Sequence, residues 1–86
     1  MVSKKEGGIS MFKLLNQLTS GQQGTVSKII GSGVVQRRLF DMGITPGTSI
    51  KLEKFAPLGD PMEVRTKGFN LSLRKNEAQN IEIELV

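Results

Sequence analysis

Two carboxylates stand two residues apart near the end of the chain, in Ile81-Glu82-Ile83-Glu84. Alternate residues of a strand share a face, so Glu82 and Glu84 would point the same way. Such a pair could work as acid and base, or hold a hard cation. The plainer reading is a solvent-facing strand, because outward charge is what a half-exposed strand carries. A second candidate is Gly31-Ser32-Gly33 ahead of a helix-like run, since helix N-termini can bind phosphate. It lacks the Gly-Lys-Ser/Thr ending of a phosphate-binding loop. These glycines are therefore read as a turn and a helix entry, where positive φ comes at low cost.

Beyond these the catalytic inventory is empty. The chain contains no His, Cys, Trp or Tyr. Without His there is no usual general base at neutral pH and no commonest metal ligand. Without Cys, disulfides and thiolate metal sites are excluded. A nucleophile–base–orienter set would have to rest on Lys or carboxylates. No catalytic residue and no metal-ligating residue is assigned, and an enzyme is the least expected class.

What remains is recognition. The net charge is +4, a mild excess that fits an ordinary solvated surface. Lys51, Lys54, Arg65, Lys67, Arg74 and Lys75 lie among the central apolar runs, and a barrel face with such charges could meet RNA. Single-strand readers add aromatic stacking platforms. Here the only aromatics are four Phe, of which Phe12 and Phe69 sit in apolar phase and read as core. No nucleic-acid partner is expected, although a small RNA-binding barrel stays open as an alternative. Phe40 differs. It follows Leu39 and so lies about 100° around a helix from it, on the side of Arg37 and Asp41. An exposed aromatic beside Arg is a combination enriched at protein interfaces. The alternative is that the first strand or the N-terminal segment covers it. The apolar loop tip Ala56-Pro57-Leu58 could join such a patch. Arg37, Arg38, Phe40, Asp41, Pro57 and Leu58 are the candidate partner contacts.

The elements that must position these residues follow from the patterning. Residues 1–10, with two Lys, one Glu, two Gly and two Ser, read as a flexible leader. Residues 11–86 read as one domain. Met11 to Leu18 suggests an extended entry segment or one helical turn that seals the core. Gly24 to Gly31 reads as the first full strand, with Lys28 falling in phase with Val26, which a bulge or bend would explain. Gly33 to Gly43 reads as the main helix, with Val35, Leu39 and Met42 on one face. Arg37 and Asp41 lie opposite, four residues apart, where an exposed ion pair adds about 0.2–0.5 kcal/mol. Gly43 is placed to cap the helix end, and Pro46-Gly47 turns the chain. Four period-2 runs follow, around Ile50, Met62 to Thr66, Phe69 to Leu73 and Ile81 to Leu85, as half-buried strands require. Pro57 to Pro61 is a loop, Lys67-Gly68 a tight reversal, and Asn76 to Gln79 a single helical turn.

About five short strands, one inserted helix and a short C-terminal helical turn predict a mainly β fold, a small closed barrel that hides its sheet edges. Composition and period fit an SH3-like barrel and, nearly as well, an OB-like one. A domain of 86 residues buries only roughly 60% of its unfolded surface, so a deep substrate pocket is not expected. No apolar stretch reaches the ~20 residues of a membrane helix. The charged start lacks the apolar region of a secretory signal, so a cytoplasmic location is expected.

The order of motifs resembles the FeoA family. Arg37 to Thr48, R-R-L-F-D-M-G-I-T-P-G-T, is similar to that family's paired Arg, apolar helix, Gly and Pro-Gly turn. Ala56 to Val64, A-P-L-G-D-P-M-E-V, follows, then Gly68 to Ala78, G-F-N-L-S-L-R-K-N-E-A, and I-E-I-E from Ile81 to Glu84. Leu15, Leu18 and Gly21 fit the family's opening. The resemblance spans about residues 11–86 and implies an SH3-like barrel in the cytoplasm. It implies an accessory role in bacterial ferrous iron uptake beside the membrane transporter FeoB and its cytoplasmic GTPase domain, with contact to the membrane only through that partner. Transition-metal binding is also attached to the family, as a sensor or chaperone would need, but no ligand motif carries over to named positions here. An intrinsic site for Fe²⁺ or another divalent metal would use carboxylates and carbonyls and be weak and unselective. Self-association of the barrel stays open.

Overall fold

The computed structural model describes residues 11–85; the expected leader lies outside the described residues. Six strands, β1 (Met11–Leu14), β2 (Gln23–Ile29), β3 (Ser49–Phe55), β4 (Met62–Thr66), β5 (Phe69–Leu73) and β6 (Ile81–Leu85), are accompanied by two helices, α1 (Gly33–Asp41) and α2 (Lys75–Ala78). The strands form one sheet in the order β1-β6-β2-β3-β4-β5, with every neighbouring pair antiparallel. The five expected strands are β2 to β6. The sixth, β1, is the entry segment, which pairs with β6 from Met11 opposite Leu85 to Leu14 opposite Glu82. It runs into a 3-10 turn at Leu15–Gln17, so strand and helical turn both occur. β1 and β5 are the two edges of the sheet and share no ladder; the expected hydrogen-bonded closure is absent among the described residues.

The irregularity at Lys28 is a bulge. Val26 and Lys28 face consecutive residues of β6, Ile83 and Glu82, leaving Ser27 as the extra residue. The Ser27 hydroxyl donates to Glu82 Oε1 at 2.7 Å. Pairing thereby survives the phase slip, and the bulge bends β2 as such insertions do. β2 also comes very close to β6 at Gly24, where a Cβ would lie 2.5 Å from the carbonyl oxygen of Glu84.

α1 is bounded by local chemistry at both ends. The Ser32 hydroxyl accepts from the Val35 N–H at 3.4 Å, meeting one of the helix's unpaired donors. At the other end the Gly43 N–H donates to Phe40 O and the Ile44 N–H to Leu39 O. Gly43 stands at φ +86, which completes the left-handed cap expected there. Leu39 is fully buried, with Val35 and Met42 packed against the same core. The rest of the core comes from the inward residues of the sheet, among them Ile50, Leu52, Met62, Val64, Ile81 and Ile83. Leu15 and Leu18, three apart across the 3-10 turn, seal one end.

Two expected core residues are not in the core. Phe12 shares its row with Glu84 and Thr25, on the outer face of the sheet, and is half-exposed. The 3-10 turn breaks the alternation, so the inward register starts at Leu15 and not at Phe12. Phe69 lies opposite Thr66 on the inner face, yet 69% of it is exposed. It stands at the hairpin end of an edge strand, where the described residues leave most of it uncovered. Period 2 assigns a residue to a face; it does not say how far the cover over that face extends.

Candidate functional site

The outward face of α1 is the first component. Relative to the inward Leu39, successive 100° steps turn Arg37, Phe40, Asp41 and Val34 away from the core, and all four are exposed. Val34 is 81% exposed and Phe40 46%. Phe40 is therefore a half-exposed surface aromatic. The expected ion pair between Arg37 and Asp41 is not formed. The pairing falls on Arg38, whose Nε lies 2.8 Å from Glu77 Oε2 on α2.

α2 is the hinge of the arrangement. Glu77 uses both carboxylate oxygens: Oε1 accepts the Arg74 N–H at 3.0 Å while Oε2 meets Arg38. One side chain thus caps its own short helix, as a Glu three residues into a helix does, and fastens that helix to α1. At its start α2 is tied to the β3–β4 loop, where Asp60 Oδ1 accepts the Lys75 N–H at 2.9 Å. The Lys75 ammonium lies 5.2 Å from the centre of the Phe55 ring, within cation–π range.

The loop itself is a built turn. The Ala56 N–H donates to Pro61 O, and the Gly59 N–H returns to Ala56 O at 2.7 Å, with Gly59 at φ +94. Pro57 and Leu58 are the two central residues of that turn, and Leu58 is 97% exposed.

The structure thus links two groups of predicted contacts that no motif connects. Arg37, Arg38, Phe40 and Asp41 lie on α1, Pro57 and Leu58 on the loop, and α2 bridges them through Glu77 and Lys75. Sequence reasoning passed over Val34 and Glu77 and named Arg74 only among the charges that could meet RNA. Between α1 and α2 runs a groove of about 330 Å³. Val34, Val35 and Leu39 form its apolar side, and Arg38, Arg74, Asn76 and Asn80 its polar rim. The available signals were the offset of Val34 by one position from the Val35–Leu39–Met42 stripe, and a Glu three residues after Arg74. The glutamates of β6 are placed by the sheet. Glu82 is engaged by Ser27, and among the described residues no group of three carboxylates is arranged to hold a metal.

Residues 13–85 match the family model of the FeoA domain. The chain belongs to the FeoA family. A FeoA/FeoB fusion protein, Fe(2+) transport protein A joined to Fe(2+) transporter FeoB, from Porphyromonas gingivalis is 38% identical over 72 residues, which is 84% of this chain. The chain spans 8% of that fusion protein's length. The NMR structure of a FeoA-like protein from Clostridium acetobutylicum is 42% identical, with a TM-score of 0.76 over 84% of this chain and 83% of that one. FeoA of Stenotrophomonas maltophilia, complexed with zinc and described as a prokaryotic SH3 domain protein, shares the fold at 22% identity. Its TM-score is 0.67 over 78% of this chain and 84% of that one. The SH3-like expectation holds, with a sheet that hydrogen bonding leaves open. In this FeoA domain no helix among the described residues is long and apolar enough to cross a membrane.

Proposed function

We propose that this chain is an accessory protein of ferrous iron uptake that docks on the cytoplasmic GTPase domain of a FeoB-type transporter. The observation that carries the reading is the P. gingivalis relative, in which a domain 38% identical to this one shares a polypeptide with a FeoB transporter. Covalent fusion keeps two partners at a high effective concentration, which serves a pair whose work is mutual contact. The outward residues of α1, with Phe40 and the arginines, and the Pro57-Leu58 turn supply the mixed aromatic, cationic and apolar character of an interface centre. The protein works by contact, without a reaction of its own, on the cytoplasmic side of the membrane. Iron is the transporter's cargo in this reading; with neither His nor Cys in the chain, a tight Fe²⁺ site on the accessory domain has no ligand set.

The test is an NMR titration of the labelled protein with the soluble GTPase domain of its cognate FeoB-type transporter. Shifts concentrated at Arg37–Asp41 and at Pro57–Leu58 are expected. An unchanged spectrum at near-millimolar partner would remove the GTPase domain as the docking site.

A further inference from the structure

We infer that the groove between α1 and α2 is a receptor for a short acidic peptide segment that carries aliphatic side chains. The inference rests on the docking reading only in taking the occupant to be part of a protein. Its argument is one of charge and shape. Three ionised side chains border the groove, Arg38, Arg74 and Glu77. The single carboxylate is consumed internally, one oxygen by the Arg74 backbone N–H and the other by Arg38 Nε. Arg38 Nε lies 2.8 Å from Glu77 Oε2, and the Arg38 side chain stays 71% exposed while that of Glu77 is 17% exposed. Most of the Arg38 side chain therefore stays open to solvent, and among the described residues Arg74 has no carboxylate partner. The border of the groove thus offers two guanidinium groups and no free anion, which favours a carboxylate-bearing occupant.

The mixed lining favours an occupant with apolar parts over a bare inorganic anion. Val34 and the half-buried Val35 present apolar surface, above the buried Leu39, that a phosphate would leave wet, whereas an aliphatic side chain between two acidic ones would cover it. Val34 is the clearest sign, an 81% exposed β-branched residue and, with Phe40, one of two exposed large apolar side chains on α1. The Asn76 carboxamide stands at the rim, available to a peptide backbone. Asn80 is spoken for, since its Nδ2 donates to Asn76 O at 2.9 Å. α1 and α2 are joined by the Arg38–Glu77 bridge in the absence of any occupant.

The test uses two synthetic twelve-residue peptides, one alternating Glu or Asp with Leu, the other with Lys at every acidic position, titrated into the labelled full chain. The acidic peptide should move the amides of Val34 and Val35, the Asn76 side-chain amide and the Nε signals of Arg38 and Arg74; the Lys peptide should move none of them. Arg74→Glu and Val34→Asp should each weaken binding about tenfold. Both positions are exposed, and the Arg74 contact to Glu77 is through the backbone, so the variants keep the fold and a dispersed spectrum verifies it. The inference is overturned if millimolar acidic peptide leaves the groove signals unmoved, or if Arg74→Glu binds as well as the parent. It is also overturned if inorganic phosphate alone reproduces the Arg shifts and competes the peptide away. Adding the transporter's GTPase domain separates the two readings. Shifts at Phe40 and Leu58 with a silent, peptide-refractory groove would leave docking standing and the groove refuted. Peptide binding in the groove with no response to the GTPase domain would do the reverse.

Discussion

Replacing Phe40 with Ala separates a surface contact from a structural residue. A fully buried Phe contributes ~1.5–3 kcal/mol relative to exposure, and Phe40 keeps 46% of its surface in water. A little over half of that contribution, about 1–1.5 kcal/mol, is therefore at stake. Ala is the better helix former by about 0.5 kcal/mol, which offsets part of the loss on α1. The expected net destabilisation is about 0.5–1 kcal/mol, well below the ~3–5 kcal/mol of emptying a buried Phe site. Urea unfolding followed by far-UV circular dichroism should show a small fall in midpoint with an unchanged slope. Affinity for the transporter's GTPase domain, measured by calorimetry, should fall by at least about tenfold if Phe40 anchors the contact. A stability loss near 3 kcal/mol would refute the assignment of Phe40 to the surface. Unchanged affinity with unchanged stability would strike it from the docking site.

Other perturbations probe the frame beneath that surface. Leu39→Ala empties a fully buried position on the inward side of the same helix, and a loss of about 2–5 kcal/mol is expected in the same unfolding assay. Gly24→Ala would drive a Cβ to 2.5 Å from the Glu84 carbonyl oxygen and 2.6 Å from Ile83 Cγ2; backbone cannot swing aside, so at least about 1–3 kcal/mol should be lost. Lys67→Asn should gain a few tenths of a kcal/mol or more, because Lys67 holds φ +54 at the first central position of the β4–β5 turn, where Asn before Gly is the favoured pair; the melting temperature reads it. Anaerobic calorimetry with Fe²⁺ should show only weak, non-stoichiometric heat, and a tight one-to-one isotherm would overturn the absence of a metal site in the docking reading.

Local regularities were legible where the chain's own pattern decides the matter. Period-2 runs located β3 to β6, and the Lys28 phase slip located a bulge that then proved to be occupied by Ser27. Val35, Leu39 and Met42 gave the inward side of α1, and Gly43 its end, because a left-handed cap needs only a residue that tolerates positive φ. Phe40 fell on the outer side by helical geometry alone. How much of it stays exposed was beyond the pattern, since that depends on what packs alongside.

Coverage and long-range pairing belong to the tertiary structure. Phe69 has the right phase and no cover, because it ends an edge strand. Phe12 has the wrong face, because a 3-10 turn shifts the register ahead of Leu15. Arg37 and Asp41 had helical spacing for an ion pair, yet the pair that forms joins Arg38 to Glu77, thirty-nine positions further along. At the α1–α2 groove that bridge and the Asp60 contact to Lys75 join a short helix to two distant segments, over a core that holds both Leu39 and Ala78. Sequence by itself determined the elements, the inward stripe of α1 and the absence of His and Cys chemistry, all of which depend on residue type and local spacing. Which side chains meet across the fold, and which apolar residues are left facing water, is settled only when the sheet brings remote segments together.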